Sequence, residues 1–387
     1  MIKKRKTILW LIVSLIIAIT TVRVIFLQNR SLSFKKLSLI IKSASPSWIA
    51  VSLLLVLGFI VFEGFSLQYI LNRLGYTTGL IRGILYSAGD QFFSAITPSA
   101  SGGQPASAFF MYSDHIPGAA ITICLLINLV MYVASTLTIG ILCFMINPDI
   151  LSAFGTASIW LIVFGILATI LLTITFVVLL KKPVIIQKCG EKLIHFLSEH
   201  RLLKDASRLS DRFKGYYDDY SLCSSVLDSG IKSFIPVFFL DLGQRIAQIT
   251  VAVTLYLAIE GSTRTNLLDL WTIQALSQIG ANFIPVPGGM GVVDYLMIDG
   301  FKYLFDTDYA YSFQTICRSF SFYLGTMISG LIVLHGSIKL ACKRRIKNVY
   351  MGISEKSGVC RCHRTQQPKT RRKNDGADRF LIGENNS

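Results

Sequence analysis

The sequence predicts an all-α, polytopic membrane protein with six full membrane spans and two broken, re-entrant helical segments arranged as inverted repeats. One observation behind this prediction is composition: 52% of the 387 residues are hydrophobic and only 16% are charged, whereas soluble domains carry about 25% charged residues. Another is the recurrence of apolar stretches of about 20 residues, enough to cross about 30 Å of hydrocarbon. A third is a pair of proline- and glycine-rich interruptions inside apolar sequence, a pattern typical of transport sites in membrane proteins.

Six apolar stretches are long enough to form membrane-spanning helices. They are Ile8 to Gln28, Trp48 to Leu71, Ala119 to Ile146, Ile159 to Leu180, Phe234 to Ile259 and Ser312 to Ile338. The first follows a basic run, Lys3 to Lys6, as the core of a signal peptide would. Its length and the lack of a clean small-residue cleavage site after it predict a retained anchor instead.

Basic residues set the predicted orientation. The N-terminal cluster, the segment Lys181 to Lys232 with ten Lys and Arg, and the segment Lys339 to Ser387 with thirteen fall on the same side of six crossings. Because basic segments are retained in the cytoplasm, both termini are predicted to be cytoplasmic. The basic loop after the first span runs against this rule, although Ser33 to Ile41 also resembles an amphipathic stretch that rests on the membrane surface.

The same features predict the domain organisation. We expect a transmembrane domain over residues 1–342, with a cytoplasmic loop at 181–232. Residues 343–387 form a basic tail that is too polar to bury a core and is expected to be disordered. The net charge of +16 lies mostly in non-apolar stretches, which suits anionic lipid headgroups better than nucleic acid.

The two interruptions are the first candidates for a functional site. Hydrocarbon offers no hydrogen-bond partner to backbone freed by Pro or Gly, so such chain must be buried in protein or line a polar cavity. The interruptions are centred in Leu80 to Met111 and Leu267 to Tyr303, each long enough for two half-helices. The candidate residues are Pro98, Gly102, Gly103, Gln104 and Pro105 in the first interruption, and Pro285, Pro287, Gly288, Gly289 and Gly291 in the second.

Each broken segment lies between two predicted spans, so the order of span, broken segment and span occurs twice. The two units enter the membrane from opposite sides, which predicts inverted repeats around a common site. Exposed N–H groups at the start of a half-helix, together with the helix dipole, favour an anion near Gly102 and Gly103 and near Gly288 and Gly289.

Charged residues within apolar sequence are the second set of candidates, because burying them costs several kcal/mol and is usually functional. They are Glu63, Asp90, Asp241, Arg245, Asp294 and Arg318, with the neutral polar residues Gln91, Asn128, Gln244 and Asn282 beside them. Asp241 and Arg245 lie four residues apart and are placed to pair on one helix face, and a purely structural ion pair is the alternative to a functional one. Arg318 has no acid in its own span, which favours a lipid phosphate as its partner.

Metal and nucleophile patterns are weak in this sequence. The eight cysteines form no disulfide framework. Cys360, Cys362 and His363 lack the second Cys or His pair that a zinc site needs, and no span carries a nucleophile beside a basic partner. We expect no cofactor, no metal and no catalytic residue.

The interruptions also carry a resemblance to a known family. The run Thr97-Pro98-Ser99-Ala100-Ser101-Gly102-Gly103-Gln104-Pro105 is similar to the Pro-Ser-x-x-Gly-Gly-Gln-Pro signature of the lysylphosphatidylglycerol synthase/flippase transmembrane family. The run Pro285 to Gly291 is similar to the second Pro-Gly motif of that family, which forms the membrane half of bacterial multiple peptide resistance factors. The resemblance covers roughly Ile8 to Lys347, and Asp294 departs from it because the family usually has Glu there.

The resemblance implies a lipid flippase-like protein of the bacterial plasma membrane that contributes to resistance against cationic antimicrobial peptides. Its expected partners are membrane phospholipids, namely phosphatidylglycerol and aminoacylated derivatives such as lysylphosphatidylglycerol. Bifunctional relatives continue into a cytoplasmic aminoacyl-transferase domain, whereas this sequence ends in the polar tail. We therefore do not expect the chain alone to transfer lysine.

Our leading hypothesis is a polar groove through which a lipid headgroup passes between leaflets. Arg318 and the glycine interruptions would hold the phosphate, and Glu63, Asp90 or Asp294 would meet a cationic group. One alternative is a phosphatidylglycerol lysyltransferase-type enzyme or its membrane subunit, which recruits a separate lipid-modifying enzyme through the Lys181 to Lys232 loop. Another is a translocase for polyprenyl-linked or glycosylated lipids. Assembly as a homo-oligomer is compatible with each of these roles.

Overall fold

The computed structural model describes most of the chain between residues 44 and 356. The described residues are 44–97, 100–181, 184, 187–188, 191–192, 215, 217, 220, 231–260, 265–282, 284, 289 and 291–356, and side chains are described as far as residue 342 except at 181, 231 and 232. This part of the chain is helical and contains no strand, which confirms the predicted all-α class. The predicted first span, Ile8 to Gln28, and the tail after residue 356 lie outside the described residues.

The described residues contain ten α-helices. In chain order they are α1 (Pro46–Arg73), α2 (Leu80–Ile96), α3 (Gly103–Ser113), α4 (Gly118–Ile146), α5 (Thr156–Lys181), α6 (Ile235–Glu260), α7 (Leu267–Ala281), α8 (Val292–Leu304), α9 (Thr307–Arg318) and α10 (Gly325–Lys356), with a π-helical turn at Ser319–Leu324 and 3₁₀ turns at Ile150–Ala153 and Ile231–Phe234. Their ends carry ordinary signals. Pro46 opens α1, where its missing N–H is no loss, and Asn266 caps α7 by accepting from the Leu268 N–H at 3.1 Å.

Five helices of the described part are long and apolar enough to cross a membrane. They are α1, α4, α5, α6 and the continuous segment from α9 through α10, Thr307–Cys342. These five coincide with predicted spans, and the protein is a multi-pass membrane protein. Contacts divide the chain into two units, Met1–Ile338 and Lys339–Ser387; the second is described only by the final helical residues of α10.

The first interrupted segment is a helical hairpin. Its two helices, α2 and α3, run antiparallel, because the Tyr86 hydroxyl donates to the Asp114 carboxylate at 2.7 Å at one end, while Gln104 donates to Asp90 at 3.3 Å at the other. The chain therefore turns back at the interruption and returns to the end from which it came.

The second interrupted segment has the same form. Gly300 of α8 lies against Ile273 of α7 at the open end of the hairpin, and Gly280 lies against Leu296 nearer the interruption. A cluster of aromatic rings holds this hairpin to α6 and α9: Tyr256, Phe301, Phe305, Tyr309 and Phe313. Both hairpins match the pairs of half-helices that the sequence predicts.

The helices that precede the two hairpins, α1 and α6, pack side by side in opposite directions. Ser52 near the start of α1 contacts Thr254 near the end of α6, with 2.7 Å between their hydroxyl oxygens. Further along, the Ser66 hydroxyl of α1 donates to the Asp241 carboxylate of α6 at 2.7 Å. Since each of these helices leads into its own hairpin, the hairpins start from opposite ends of the α1 and α6 pair, which is the arrangement that inverted repeats require.

Candidate functional site

The two hairpins and the spanning helices surround one cavity of about 410 Å³, here called the central cavity. Its wall includes both interruptions, through Ala100 and Gln104 of the first and Ile284 and Gly289 of the second. The polar and charged side chains that line it are Glu63, Asp90, Gln91, Ser94, Gln104, Asn128, Tyr132, Thr136, Thr169, Gln244, Arg245, Gln248, Gln274, Gln278, Asn282, Arg318, Ser321 and Thr326. A cavity this polar between membrane-spanning helices needs polar contents to satisfy its walls.

Two carboxyl groups meet on one side of the central cavity. Glu63 of α1 and Asp90 of α2 both line the cavity and lie close enough for their carboxyl groups to interact, and Glu63 is only 6% exposed. Glu63 Oε2 also accepts from the Ser87 hydroxyl at 2.9 Å and from the Gln244 amide at 3.2 Å. We call Glu63 and Asp90 the acid pair.

Arg245 of α6 lines another part of the wall and is 5% exposed. Its guanidinium carbon lies 3.7 Å from the centre of the Tyr132 ring, a cation–π contact. Its Nη1 donates to Gln248 Oε1 at 2.6 Å, whereas Nε and Nη2 are buried and find no hydrogen-bond partner among the described residues. Donors of this kind are costly to bury, so they indicate a place for an acceptor in the cavity.

The expected pairing of Asp241 with Arg245 is absent from the structure. Asp241 is fully buried, does not line the cavity and accepts from Ser66 of α1, while Arg245 is directed towards Tyr132 of α4. Two side chains four residues apart do not leave a helix in the same direction, and here they contact different neighbouring helices. Asp241 therefore joins α1 to α6 instead of neutralising Arg245.

Arg318 does have an acidic partner, supplied by a different helix. Its Nε lies 3.0 Å from Asp294 Oδ1, and its guanidinium carbon lies 4.5 Å from the centre of the Phe322 ring. Asp294 also accepts from the Gly291 N–H at 2.9 Å, which caps α8, and from the Gln314 amide at 2.6 Å. Because Asp294 already balances its charge, Arg318 is a weaker candidate for a phosphate than Arg245, although Arg318 lines the cavity.

The first interruption is held together by its own side chains. The Thr97 hydroxyl accepts from the Gly102 N–H at 2.8 Å and donates to the Phe93 carbonyl at 2.6 Å. Gly103 is buried, and a Cβ there would overlap Asp90 Oδ1 and Ser94 Oγ. Glycine at this position therefore lets the acid pair lie directly against the interruption. Pro105 is exposed, and Pro98 lies outside the described residues.

The second interruption uses glycine for its backbone shape. Gly289 and Gly291 have φ values of 63° and 82°, in the left-handed region that glycine adopts at little cost. Gly289 lines the central cavity, whereas Gly291 is exposed and precedes α8. Pro285, Pro287 and Gly288 lie outside the described residues.

Uncharged polar residues contribute more of the wall than the sequence suggested. Tyr132, Gln248, Gln274 and Gln278 were not singled out, because neutral side chains within a span usually serve helix packing. One signal was present: Gln91 and Gln278 each lie seven positions before the first proline of their interruption, and both line the cavity. Buried oxygens of Asn128, Gln244 and Gln274 accept no hydrogen bond from the described residues, so a ligand with donor groups would fit beside an anionic one.

Clusters of metal-ligating side chains are absent from the part of the chain that the structure describes. No group of three or more His, Cys, Asp or Glu side chains converges among the described residues. Cys360, Cys362 and His363 of the tail lie outside them.

Comparison with known proteins assigns the chain to a family. The family model described as the lysylphosphatidylglycerol synthase TM region matches residues 11–329, which include both hairpins, all five spanning helices except the end of the last, and the central cavity. No curated protein matches the chain. The match covers most of the 387 residues, and the chain therefore belongs to the family of lysylphosphatidylglycerol synthase transmembrane regions.

Proposed function

We propose that this protein moves the headgroup of an anionic or aminoacylated glycerophospholipid between the leaflets of the bacterial plasma membrane, through the central cavity. The observation that carries the proposal is Arg245, whose Nε and Nη2 donors are buried in the cavity wall without a partner among the described residues. A lipid phosphate supplies oxygens of the right charge for these donors, and guanidinium–phosphate hydrogen bonds are among the stronger ones in proteins.

The other side of the cavity suits a cationic group. The acid pair lines the wall, and its oxygens can accept from the ammonium group of an aminoacylated headgroup. The unpaired oxygens of Asn128, Gln244 and Gln274 can accept from hydroxyl or ammonium donors of the same headgroup. A headgroup that carries both a phosphate and an ammonium group therefore matches more of the wall than a simple anion does.

The opposed hairpins support movement in preference to simple binding. Both interruptions face the same cavity, and the helices that lead into the two hairpins run in opposite directions. In transporters built from inverted repeats, rocking of one repeat against the other opens a shared site to each side in turn. The lipid tails would remain in hydrocarbon while the headgroup occupies the cavity.

The proposal also assigns an orientation and a partner. The basic segments that flank the spans support a cytoplasmic position for both termini. The family is named for the membrane region of a synthase, so a separate lipid-modifying enzyme is the partner that would supply an aminoacylated lipid.

The test is transport by the purified protein in liposomes, measured as inner-to-outer movement of labelled phosphatidylglycerol and lysylphosphatidylglycerol. We expect Arg245→Gln to slow movement of both lipids by about ten- to a hundredfold, because hydrogen bonds to charged groups contribute about 1.5–3 kcal/mol. Arg245→Lys, which keeps the charge but loses the planar fork, should be intermediate.

Arg73→Gln provides the matched control, since Arg73 is exposed at the end of α1 and its guanidinium donates to the Tyr69 hydroxyl, away from the cavity wall. Its transport rate should equal that of the wild type. Movement no faster than in protein-free liposomes for both lipids would overturn the proposal and would direct attention to a platform role for a partner enzyme.

A further inference from the structure

We propose that the acid pair of Glu63 and Asp90 is a proton-binding site that exchanges its proton for the cationic group of a lipid headgroup. The inference rests on the proposed function and adds to it a means of coupling: a proton crosses the membrane in one direction as a cationic headgroup crosses in the other.

Glu63 and Asp90 line the same wall of the central cavity, and Glu63 contacts α2 at Ser87, three residues before Asp90. Their carboxyl groups lie close enough to interact with each other. Two ionised carboxylates side by side inside protein repel each other strongly, and one proton held by the pair removes that repulsion. In the proposed site, Glu63 and Asp90 therefore hold one proton between them when no cation lies beside them.

The remaining contacts of the pair come from uncharged donors. Glu63 accepts from Ser87 and Gln244, and Asp90 accepts from the Ser94 hydroxyl at 3.1 Å and from the Gln104 amide. None of these donors neutralises a second negative charge. A cation that enters the cavity can neutralise that charge. The pair therefore loses its remaining proton only when a cation is bound beside it.

Two cations also line the cavity beside the pair. Arg245 lies close enough to Glu63 to interact with it electrostatically, and Arg318 forms an ion pair with Asp294. The helices α5 and α7 contribute no charged group to the described wall. The titratable and charged groups that face the pair or the cavity beside it are Asp241 and Arg245 of α6, Tyr132 of α4, and Arg318 with its partner Asp294.

The exchange conserves charge and atoms. A headgroup ammonium donates hydrogen bonds to both carboxylates, and the shared proton leaves to water on the side to which the cavity is open. One positive charge enters the cavity and one leaves it. On the other side the lipid departs, and a proton from that side returns to Glu63 and Asp90.

The site is also in direct contact with the first interruption. Gln104 belongs to the first residues of α3, directly after the first interruption, and donates to Asp90. Gly103 next to it has no room for a Cβ because the Asp90 carboxylate occupies that space. A change in the protonation or position of Asp90 therefore acts directly on the hairpin of α2 and α3.

The test measures the steady-state leaflet ratio of lysylphosphatidylglycerol in proteoliposomes, with and without a pH gradient. Exchange of one proton for one lipid predicts that a gradient of about one pH unit sustains about a tenfold leaflet ratio, since one pH unit is a factor of ten in proton activity. Phosphatidylglycerol, which lacks the ammonium group, should show no dependence on the gradient.

The variants Glu63→Gln and Asp90→Asn cannot exchange the proton. Each should let lysylphosphatidylglycerol equilibrate to the same leaflet ratio whether or not a gradient is present. The control Asp308→Asn removes one carboxylate at an exposed position of α9 and should keep the full gradient dependence. A second measurement needs no variant: wild-type protein in weakly buffered detergent should release about one proton per bound lysylphosphatidylglycerol and none on binding phosphatidylglycerol.

The outcomes separate the two proposals. One outcome is that the lipids move, the leaflet ratio does not depend on the pH gradient, and no proton is released on binding. That outcome would overturn the proton-exchange site and leave the proposed function intact. Gradient dependence that persists in Glu63→Gln and Asp90→Asn would overturn the assignment of the site to these residues. Absence of movement for both lipids under every condition would overturn the proposed function, and this inference with it.

Discussion

At the scale of single residues, the site depends on close approaches that only small side chains permit. Gly103 faces the Asp90 carboxylate and the Ser94 hydroxyl with no space for a methyl group. A carboxyl group packed against backbone in this way stays within reach of Glu63. The glycine of the first interruption thus positions the acid pair as well as breaking the helix.

We predict that Gly103→Ala displaces Asp90 and destabilises the protein by about 1–3 kcal/mol, the range for inserting a methyl group into a packed site. Thermal unfolding in detergent measures the effect. Gly58→Ala is the matched control, because its Cβ would lie at ordinary contact distances of 3.7 Å or more from Phe62 and Ala247. Equal stability losses for the two variants would contradict the tight contact at Gly103.

At the scale of elements, the sequence predicts the positions of the helices along the chain better than it predicts the contacts between them. Hydrophobic length and the Pro and Gly interruptions located five spans and both hairpins, since these depend on local composition. The pairing of Arg318 with Asp294 and of Asp241 with Ser66 depends on which faces of distant helices come together. A single sequence carries no direct signal for those contacts, so the expected roles of Arg318 and Asp241 were the ones that changed.

The crossing of α1 and α2 shows how packing places the acid pair. Gly64 and Gly83 bring the two backbones together, because a Cβ at Gly83 would overlap the Gly64 carbonyl oxygen and a Cβ at Gly64 would lie 2.9 Å from the Ile84 nitrogen. Small residues at such crossings allow membrane helices to approach closely. This crossing sets Glu63, the neighbour of Gly64, within hydrogen-bond distance of Ser87.

Replacing Gly83 by Ala should therefore separate α1 from α2 and weaken contacts between Glu63 and α2. We expect a loss of about 1–3 kcal/mol in stability, as for other overpacked sites, and slower movement of both lipids in liposomes. Gly140→Ala on α4 serves as the comparison, since an added Cβ there would lie 3.6 Å from Ile279 Cδ1, an ordinary contact distance. Wild-type transport and stability in Gly83→Ala would show that the close crossing is not required.

At the scale of the whole molecule, the antiparallel packing of α1 and α6 fixes the relation between the two hairpins. The hairpin of α2 and α3 begins where α1 ends, at Arg73, and the hairpin of α7 and α8 begins after α6 ends, at Glu260. Because α1 and α6 run in opposite directions, these two starting points lie on opposite sides of the membrane. Both interruptions nevertheless reach the same central cavity, so each side of the membrane is separated from the cavity by a different hairpin.

This arrangement predicts the sides from which single cysteines react with a membrane-impermeant thiol reagent. Thr77 and Thr307 are exposed at the bases of the first and second hairpins, and a background that lacks the eight native cysteines leaves each introduced thiol alone. If the basic termini and the loop at 181–232 are cytoplasmic, as proposed, the end of α1 lies on that side as well. We therefore expect Thr77→Cys to be labelled only from the cytoplasmic side and Thr307→Cys only from the outside. Labelling in right-side-out and inside-out vesicles gives the answer, with membrane-permeant reagent as the control that both thiols are reactive. Labelling of both positions from one side would rule out opposed hairpins, and a single cavity could then no longer be reached from the two leaflets through the two repeats.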